Sequence, residues 1–234
     1  MAAAAPAKLY YFKGRGRSQQ ARWALAAANM AFTSVCLQSP EEFAALCESG
    51  KLTYQQVPML ECGPRCISQS MAIVRHAARV GNLYGSTIDE ATRIDEILDG
   101  ITDARGAIVS YPFMDPQEAC GRLFQSLQRF YPSFEALLTK NDVQPYAVGA
   151  SLTIADVLLA ELVQSTVEAF SATPSFGAGA ASSVLQSFPK LRALHEHVLA
   201  LPEMQEFLRS PNHMPFPSGE TGKTYVKNVR TVLG

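Results

Sequence analysis

The sequence has little net charge and no long apolar run. Its 234 residues include 20 lysines and arginines against 21 aspartates and glutamates, a formal net charge of −1. This balance provides no electrostatic footprint for nucleic acid or for an anionic membrane. A membrane-spanning helix needs about 18 or more consecutive apolar residues, and the sequence contains no such run, so we expect no membrane span. The start, Met-Ala-Ala-Ala-Ala-Pro, also lacks the basic segment of a secretory signal.

Cysteine is sparse as well. Five cysteines, an odd number, lie at positions 36, 47, 62, 66 and 120. A disulfide framework normally uses a dense and even set, so we expect reduced thiols and a cytoplasmic location. The spacing also offers no third or fourth ligand close to any cysteine pair, and we expect no metal site.

The residues present, 47% of them hydrophobic, are ordinary for a globular chain with a sizeable core. Their patterns up to residue 85 predict the order β-α-β-α-β-β-α, which is that of a thioredoxin-like domain. The predicted strands are 8–12, 31–37, 59–62 and 65–67, and the predicted helices are 18–28, 40–46 and 71–78. A loop with two glycines, at 13–17, follows the first strand.

From residue 86 to the end the pattern predicts helices only. The fold class is therefore α/β plus all-α: a thioredoxin-like domain at 1–85 and a helical domain at 86–234. The predicted helices are 88–112, 116–139 with an interruption at Pro132, 153–170, 188–201, 202–208 and 220–233. Thr153 and Asp156 have the spacing of a capping box, and the Ser/Ala/Gly-rich stretch 171–183 predicts a loop.

The stretch from Tyr54 to Ser70 has the most specific local pattern. Pro58 opens a short strand, and the Val57-Pro58 bond is a candidate for the cis form. A Gly-Pro turn then leads into a second strand and a helix that opens with Gln69-Ser70. The free N–H groups and the positive dipole of a helix start favour an anion, so this corner predicts an anion site.

Five segments together resemble the cytosolic glutathione transferases, most closely their alpha class, and the resemblance covers essentially the whole chain. They are Lys-Leu-Tyr-Tyr-Phe-Lys-Gly-Arg-Gly-Arg (8–17), Gln-Gln-Val-Pro-Met (55–59), Asn-Leu-Tyr-Gly (82–85), Arg-Phe-Tyr-Pro-Ser-Phe-Glu (129–135) and Ser-Leu-Thr-Ile-Ala-Asp (151–156).

The resemblance implies that Tyr11 and Arg17 are catalytic. A phenol donating to a thiolate lowers the thiol pKa, and a drop of roughly two units corresponds to about 2.7 kcal/mol. The family places its tyrosine before a phenylalanine, which selects Tyr11 over Tyr10. Arg17 matches an arginine that adds a second donor, whereas Arg15 is expected to face solvent.

The resemblance also implies a glutathione site. Gln69 and Ser70 would bind the γ-glutamyl end, Val57 the cysteinyl backbone, and Gln56 lies beside it. Where alpha-class proteins have an arginine for the glycyl carboxylate, this chain has Cys47, and Lys51 is the expected substitute. Because of this departure, two thiol substrates remain as alternatives: glutathione and a glutathione conjugate.

Three further matches imply a homodimer. Tyr54 occupies the position of an aromatic residue that inserts into the neighbouring subunit, and the first helices of the helical domain form the rest of the interface. Asp103 and Arg129 match a pair that reaches the partner's glutathione site.

The function implied is conjugation of the glutathione thiolate to small electrophilic, mostly apolar substrates, a detoxification reaction whose electrophile site the helical domain completes. Two alternatives remain open at this point. One is a hydrophobic-ligand carrier without catalysis on the same fold, and the other is a glutathione-dependent peroxidase or isomerase.

Overall fold

The computed structural model describes residues 6–173 and 185–234. The strands are β1 (Ala7–Phe12), β2 (Phe32–Leu37), β3 (Met59–Cys62) and β4 (Arg65–Ser68). The helices are α1 (Gln19–Ala27), α2 (Pro40–Glu48), α3 (Ser70–Val80), α4 (Ile88–Ala104), α5 (Gly106–Ser110), α6 (Pro116–Lys140), α7 (Ile154–Ser171), α8 (Pro189–Ala200), α9 (Pro202–Arg209) and α10 (Gly219–Leu233). Short 3-10 turns lie at Gly16–Ser18 and Tyr111–Phe113.

The four strands form one sheet in the order β2-β1-β3-β4. β1 runs parallel to β2 and antiparallel to β3, and β3 pairs with β4 as a hairpin. The Val57-Pro58 bond directly before β3 is cis, as the sequence indicated. The predicted fold class, a small α/β domain followed by helices, is confirmed.

The chain forms two compact units, and the C-terminal residues belong to the first. That unit contains the residues up to Gly81 together with Glu206–Gly234, and the second contains Asn82–Gln205. The division at residue 85 stays a prediction about domain organisation. In the structure, α10 comes from the C-terminal end of the sequence and packs with the sheet that the N-terminal residues form.

The core of the first unit shows how α10 is held there. Tyr225 and Val232 of α10 are buried in one cluster with side chains from β1, β2, α2 and β3. The other buried members are Tyr11, Phe12, Leu37, Leu46, Leu52 and Met59. Burial of a large apolar side chain contributes roughly 1.5–3 kcal/mol, so these two side chains help to hold the helix against the sheet.

Two asparagines fix the C-terminal segment to the backbone of the first unit. Asn228 accepts a hydrogen bond from Lys13 N (2.8 Å) and donates one to Leu37 O (3.0 Å). Asn212 accepts from Ser34 N (3.1 Å) and donates to Phe32 O (3.0 Å). An amide side chain can satisfy one backbone donor and one acceptor at the same time, so each asparagine acts as a bridge.

In the second unit the helix predicted over 88–112 is divided, which corrects the prediction. α4 ends at Ala104 and α5 begins at Gly106, with Arg105 between them. The Arg105 guanidinium binds the Glu161 carboxylate through two hydrogen bonds of 2.7 Å, and both side chains are buried. This bidentate pair holds the break in place, and Ser165 also donates to Glu161 (2.7 Å).

A second correction concerns Pro132, which does not interrupt its helix. α6 is continuous from Pro116 to Lys140 with Pro132 inside it. A proline in a helix interior costs about 3 kcal/mol because it removes one backbone hydrogen bond. Its neighbours Tyr131 and Phe134 are buried, and the Tyr131 hydroxyl donates to Thr166 Oγ1 (2.7 Å). These contacts stabilise the helix on both sides of Pro132.

The predicted capping box at the start of α7 is present. Asp156 is fully buried, and its carboxylate accepts hydrogen bonds from Thr153 N (2.7 Å), Thr153 Oγ1 (2.8 Å) and Ala147 N (2.6 Å). Burial raises the pKa of Asp156 to about 6, and these hydrogen bonds act in the opposite direction.

The predicted C-terminal helix is confirmed as α10.

Most of the predicted loop at 171–183 lies outside the described residues, which resume at 185. Within the part of the chain that the structure describes, no helix is long and apolar enough to cross a membrane.

We expect Asp156→Ala to destabilise the second unit, because it leaves two backbone N–H groups without their acceptor. The loss of a cap costs about 1 kcal/mol, and unsatisfied buried donors add about 1–3 kcal/mol each. Chemical denaturation should show the loss. Asp142→Ala, at an exposed position, is the matched control. Equal stability of the two variants would contradict the role assigned to Asp156.

Candidate functional site

The first unit contains a cavity of about 520 Å³, within the usual size range for a small-molecule site. It is open on one side and mixes polar and aromatic walls. The residues that line it are Phe12, Arg17, Phe43, Gln55, Gln56, Val57, Pro58, Gln69, Ser70 and Leu233. They come from the end of β1, the 3-10 turn before α1, α2, the segment before β3, the start of α3 and the end of α10.

Five sequence-predicted site residues meet in this cavity. They are Arg17, Gln56, Val57, Gln69 and Ser70. β1 and β3 are adjacent and antiparallel in the sheet. The loop after β1 and the segment before β3 therefore lie at the same end of these strands, which brings the five residues together. The lining of the cavity combines one cation, Arg17, with the side-chain amides of three glutamines and the hydroxyl of Ser70.

The start of α3 is suited to bind an anion. Its N-cap residue, Gln69, has a φ of 73° and makes no side-chain cap, and the first turn contains no acidic residue. α2 differs, since Ser39 caps it and Glu41 and Glu42 lie in its first turn. The first N–H groups of α3 therefore lack an internal anion, and Gln69 and Ser70 present this end to the cavity.

Tyr11 is buried beside the cavity wall rather than lining it. Its hydroxyl oxygen accepts a hydrogen bond from Arg17 N (3.0 Å), and Arg17 is part of the wall. Tyr10 points to the other face of the strand, as alternation requires, and its hydroxyl donates to Glu61 (3.0 Å). Of the two tyrosines, Tyr11 is therefore the one whose hydroxyl reaches the cavity edge.

The glycines of the loop after β1 allow a third tyrosine to come close. A methyl group on Gly14 would lie 2.3 Å from the Tyr225 ring. A methyl group on Gly16, whose φ is 38°, would lie 2.3 Å from the Tyr225 hydroxyl and 2.4 Å from the Tyr11 hydroxyl. Glycine is needed at both positions because no side chain fits between the loop and α10.

Arg22 of α1, which the sequence patterns do not single out, also holds this loop in place. The side chain is fully buried, and it donates to Gly14 O (2.8 Å) and to Ser34 Oγ (3.3 Å). Burial lowers the pKa of Arg22 to about 10, so the guanidinium remains charged at neutral pH. The sequence shows only that an arginine lies within the apolar run of α1. A surface arginine would give the same pattern, so the sequence does not reveal that Arg22 is buried.

Arg15 is buried, contrary to the expectation that it faces solvent. Only 4% of it is exposed, while Arg17 is exposed at the cavity. Arg15 Nε donates to Met214 O (2.6 Å), Nη2 lies 3.4 Å from His213 Nε2, and the guanidinium stacks over Phe216 at 5.7 Å. The C-terminal segment supplies all of these partners, and the sequence around Arg15 gives no sign of them.

Lys51 lies apart from the cavity wall. Its ammonium group contacts Glu61 (3.0 Å), whose carboxylate also accepts from Tyr10. These two hydrogen bonds, with Lys51 the stronger influence, hold the pKa of Glu61 below its usual value.

The remaining predicted residues lie at exposed positions. Tyr54 is 60% exposed, Asp103 is exposed on α4, and Arg129 is exposed on α6 with its guanidinium 4.9 Å from the Phe130 ring. Among the residues that the structure describes, no group of three or more metal-ligating side chains was found.

Comparison with known proteins places both parts of the chain in one family. Residues 7–79 match the family described as "Glutathione S-transferase, N-terminal domain". Residues 102–211 match the one described as "Glutathione S-transferase, C-terminal domain".

Similar proteins match over nearly the whole chain. "Glutathione S-transferase 3" of Gallus gallus is 34% identical over 98% of this chain and 96% of its own length. "Glutathione S-transferase alpha-4" of Rattus norvegicus is 34% identical over 97% of each. The solved glutathione S-transferase from Ascaris lumbricoides is 26% identical and superposes with a TM-score of 0.70 over 87% of this chain and 96% of its own. The predicted resemblance to the alpha class is confirmed.

We expect Gly14→Ala to displace α10, because the new methyl group would overlap the Tyr225 ring. Hydrogen exchange should speed up in 219–233, and stability should fall by about 1–3 kcal/mol, the usual cost of overpacking. Gly121→Ala is the control, since none of the described residues has an atom within 4 Å of a methyl group there and alanine favours a helix. Unchanged exchange in α10 of the Gly14 variant would contradict the packing described.

Proposed function

Because the chain belongs to the glutathione S-transferase family, we propose that it joins the thiolate of glutathione to small electrophilic, mostly apolar substrates. One observation supports this function best. The Tyr11 hydroxyl is bonded to Arg17 N, and Arg17 lines a cavity that the uncapped start of α3 also lines. This supports a hydroxyl that donates to a thiolate and an anion site at one small cavity.

Tyr11 and Arg17 are the residues proposed to activate the thiol. The thiol releases its proton to solvent, and the Tyr11 hydroxyl donates a hydrogen bond to the sulfur anion. The nearby Arg17 charge favours the same anion. The sulfur lone pair then forms a bond to the electrophilic carbon. With an aryl chloride the carbon–chlorine bond breaks and chloride leaves with its electrons.

The cavity residues are proposed to hold glutathione by its ends. Ser70 and Gln69, with the N–H groups of α3, bind the γ-glutamyl carboxylate. The Val57 backbone pairs with the cysteinyl backbone, with Gln56 beside it. Lys51 is the proposed partner of the glycyl carboxylate, which it can bind only by exchanging the ion pair that it makes with Glu61.

We further propose that the protein is a cytoplasmic homodimer. The exposed ring of Tyr54 is available to insert into a second copy, together with the first helices of the helical domain. Asp103 and Arg129, both exposed, are proposed to reach the partner's glutathione site. All five cysteines are free, which fits a reducing compartment.

Tyr11→Phe tests the activation step. With an activated aryl chloride such as chlorodinitrobenzene, we expect kcat/KM at neutral pH to fall roughly 10- to 100-fold, because the pKa of the bound thiol should rise by about one to two. KM for glutathione should stay within about twofold, because binding precedes ionisation.

Tyr10→Phe is the matched control for this experiment. It removes a hydroxyl from the neighbouring residue of the same strand, on the face that contacts Glu61, and should leave kcat/KM unchanged. A Tyr11 variant as active as the wild type would refute the role proposed for this residue.

Ser70→Ala tests the binding step. Loss of one hydrogen bond to a charged carboxylate should raise KM for glutathione roughly 10-fold or more, while kcat at saturation stays near the wild-type value. Ser133→Ala, an exposed serine on α6, serves as the control. An unaltered KM in the Ser70 variant would place the carboxylate elsewhere.

A further inference from the structure

Two hydroxyl groups meet at Gly16. The Tyr225 and Tyr11 oxygens are 3.5 Å apart, and both side chains are at least 95% buried. Each oxygen would lie within 2.4 Å of a methyl group on Gly16, so both are directed at the same point of the loop. The contact is therefore part of the packing between the loop and α10, and it lies next to the cavity wall at Arg17.

The hydrogen bonds of Tyr11 restrict what its own proton can do. A phenol has one proton to donate and two lone pairs that accept. Arg17 N can only donate, so it occupies one lone pair of Tyr11. If Tyr11 donates to Tyr225, its proton is unavailable to a ligand. If Tyr225 donates to Tyr11, both lone pairs are filled and the Tyr11 proton is left for the ligand.

We propose that Tyr225 is a positioning residue for thiol activation, which donates a hydrogen bond to the Tyr11 oxygen so that the Tyr11 proton points to the glutathione sulfur. The inference rests on the proposed function. It adds a residue from the other end of the chain, acting through Tyr11 and not by contact with the thiol.

When a thiolate is bound, donation from Tyr225 to Tyr11 is favoured over donation in the reverse direction. The negative sulfur attracts the Tyr11 proton, and the charge that Tyr11 gains makes its oxygen a better acceptor for Tyr225. Hydrogen bonds arranged in such a chain strengthen one another. Burial raises the pKa of the Tyr225 hydroxyl, with the nearby Tyr11 a smaller cause, so Tyr225 keeps its proton throughout the working pH range.

The distance of 3.5 Å is long for a hydrogen bond between hydroxyl groups. Such bonds are often long before substrate is bound and shorten as charge develops. α10 is well anchored for this role, because Asn228 bridges Lys13 N and Leu37 O and because Val232 is buried in the same core cluster as Tyr225.

Tyr225→Phe is the direct test, because it keeps the ring that packs on Gly14 and removes only the hydroxyl. The thiolate absorbance of glutathione bound to the full-length protein is titrated against pH in wild type and variant. We expect the pKa of the bound thiol to rise by roughly half a unit to one unit, the effect of one hydrogen bond. KM for glutathione should change by less than about twofold.

The pH profile separates positioning from a structural role. At a pH well below the thiol pKa, the variant should lose roughly threefold to tenfold in kcat/KM. At a pH above it, where the thiol ionises without help, the two proteins should converge. A deficit of the same size at every pH would indicate damaged packing and overturn the inference.

Two further variants complete the design. Tyr10→Phe, the control hydroxyl on the other face of β1, should titrate as wild type. In a Tyr11→Phe background, Tyr225→Phe should have no further effect on the thiol pKa, because its action passes through the Tyr11 oxygen. An effect of equal size in both backgrounds would overturn the inference.

The same titration distinguishes failure of the Tyr225 positioning role from failure of the proposed function. If the wild-type protein ionises bound glutathione near neutral pH and the Tyr225 variant does so equally, the positioning role fails and the proposed function stands. If the wild-type thiol titrates as it does in water, both fail.

Discussion

The close contact between the glycine loop and the Tyr225 ring is the constraint on which the site depends. The loop carries Arg17 and meets the Tyr11 hydroxyl, and α10 covers it with an aromatic ring that only glycine at 14 and 16 can accommodate. Beneath the loop, the buried Arg22 holds the Gly14 carbonyl. The loop is thus fixed on one side by Arg22 of the next helix and on the other by Tyr225 from the far end of the sequence, which gives a thiol ligand a rigid donor.

The electrostatics of the first unit favour an anion at this point. Arg17 lies exposed at the wall, and the start of α3 is without a cap or an acidic residue. The other nearby cations have different partners: Arg15 binds the Met214 carbonyl, Arg22 binds the loop, and Lys51 pairs with Glu61. Arg17 and the start of α3 line the same cavity, and there a carboxylate and a thiolate would both be stabilised.

Much of this could be predicted from local sequence patterns. The strands, the hairpin before α3, the cis Val57-Pro58 bond and the capping box each have short-range signals, and so does the helix start at Gln69-Ser70. Gln56 and Val57 are predicted from the family resemblance. Contacts between distant segments could not be predicted. The burial of Arg15 depends on His213, Met214 and Phe216, and the continuity of α6 through Pro132 depends on packing around Tyr131. Neither contact affects which residues stand next to Arg15 or Pro132 in the sequence, so local patterns cannot predict it.

The proposed mechanism requires glutathione to bind in this cavity with its sulfur at the Tyr11 hydroxyl. A crystal structure of the protein with S-hexylglutathione tests it most directly. We expect the γ-glutamyl carboxylate at the start of α3, beside Ser70, and the sulfur within hydrogen-bonding distance of the Tyr11 oxygen, on the side away from Tyr225. A ligand bound in the cavity with its sulfur directed away from Tyr11, or bound outside the cavity, would contradict the account.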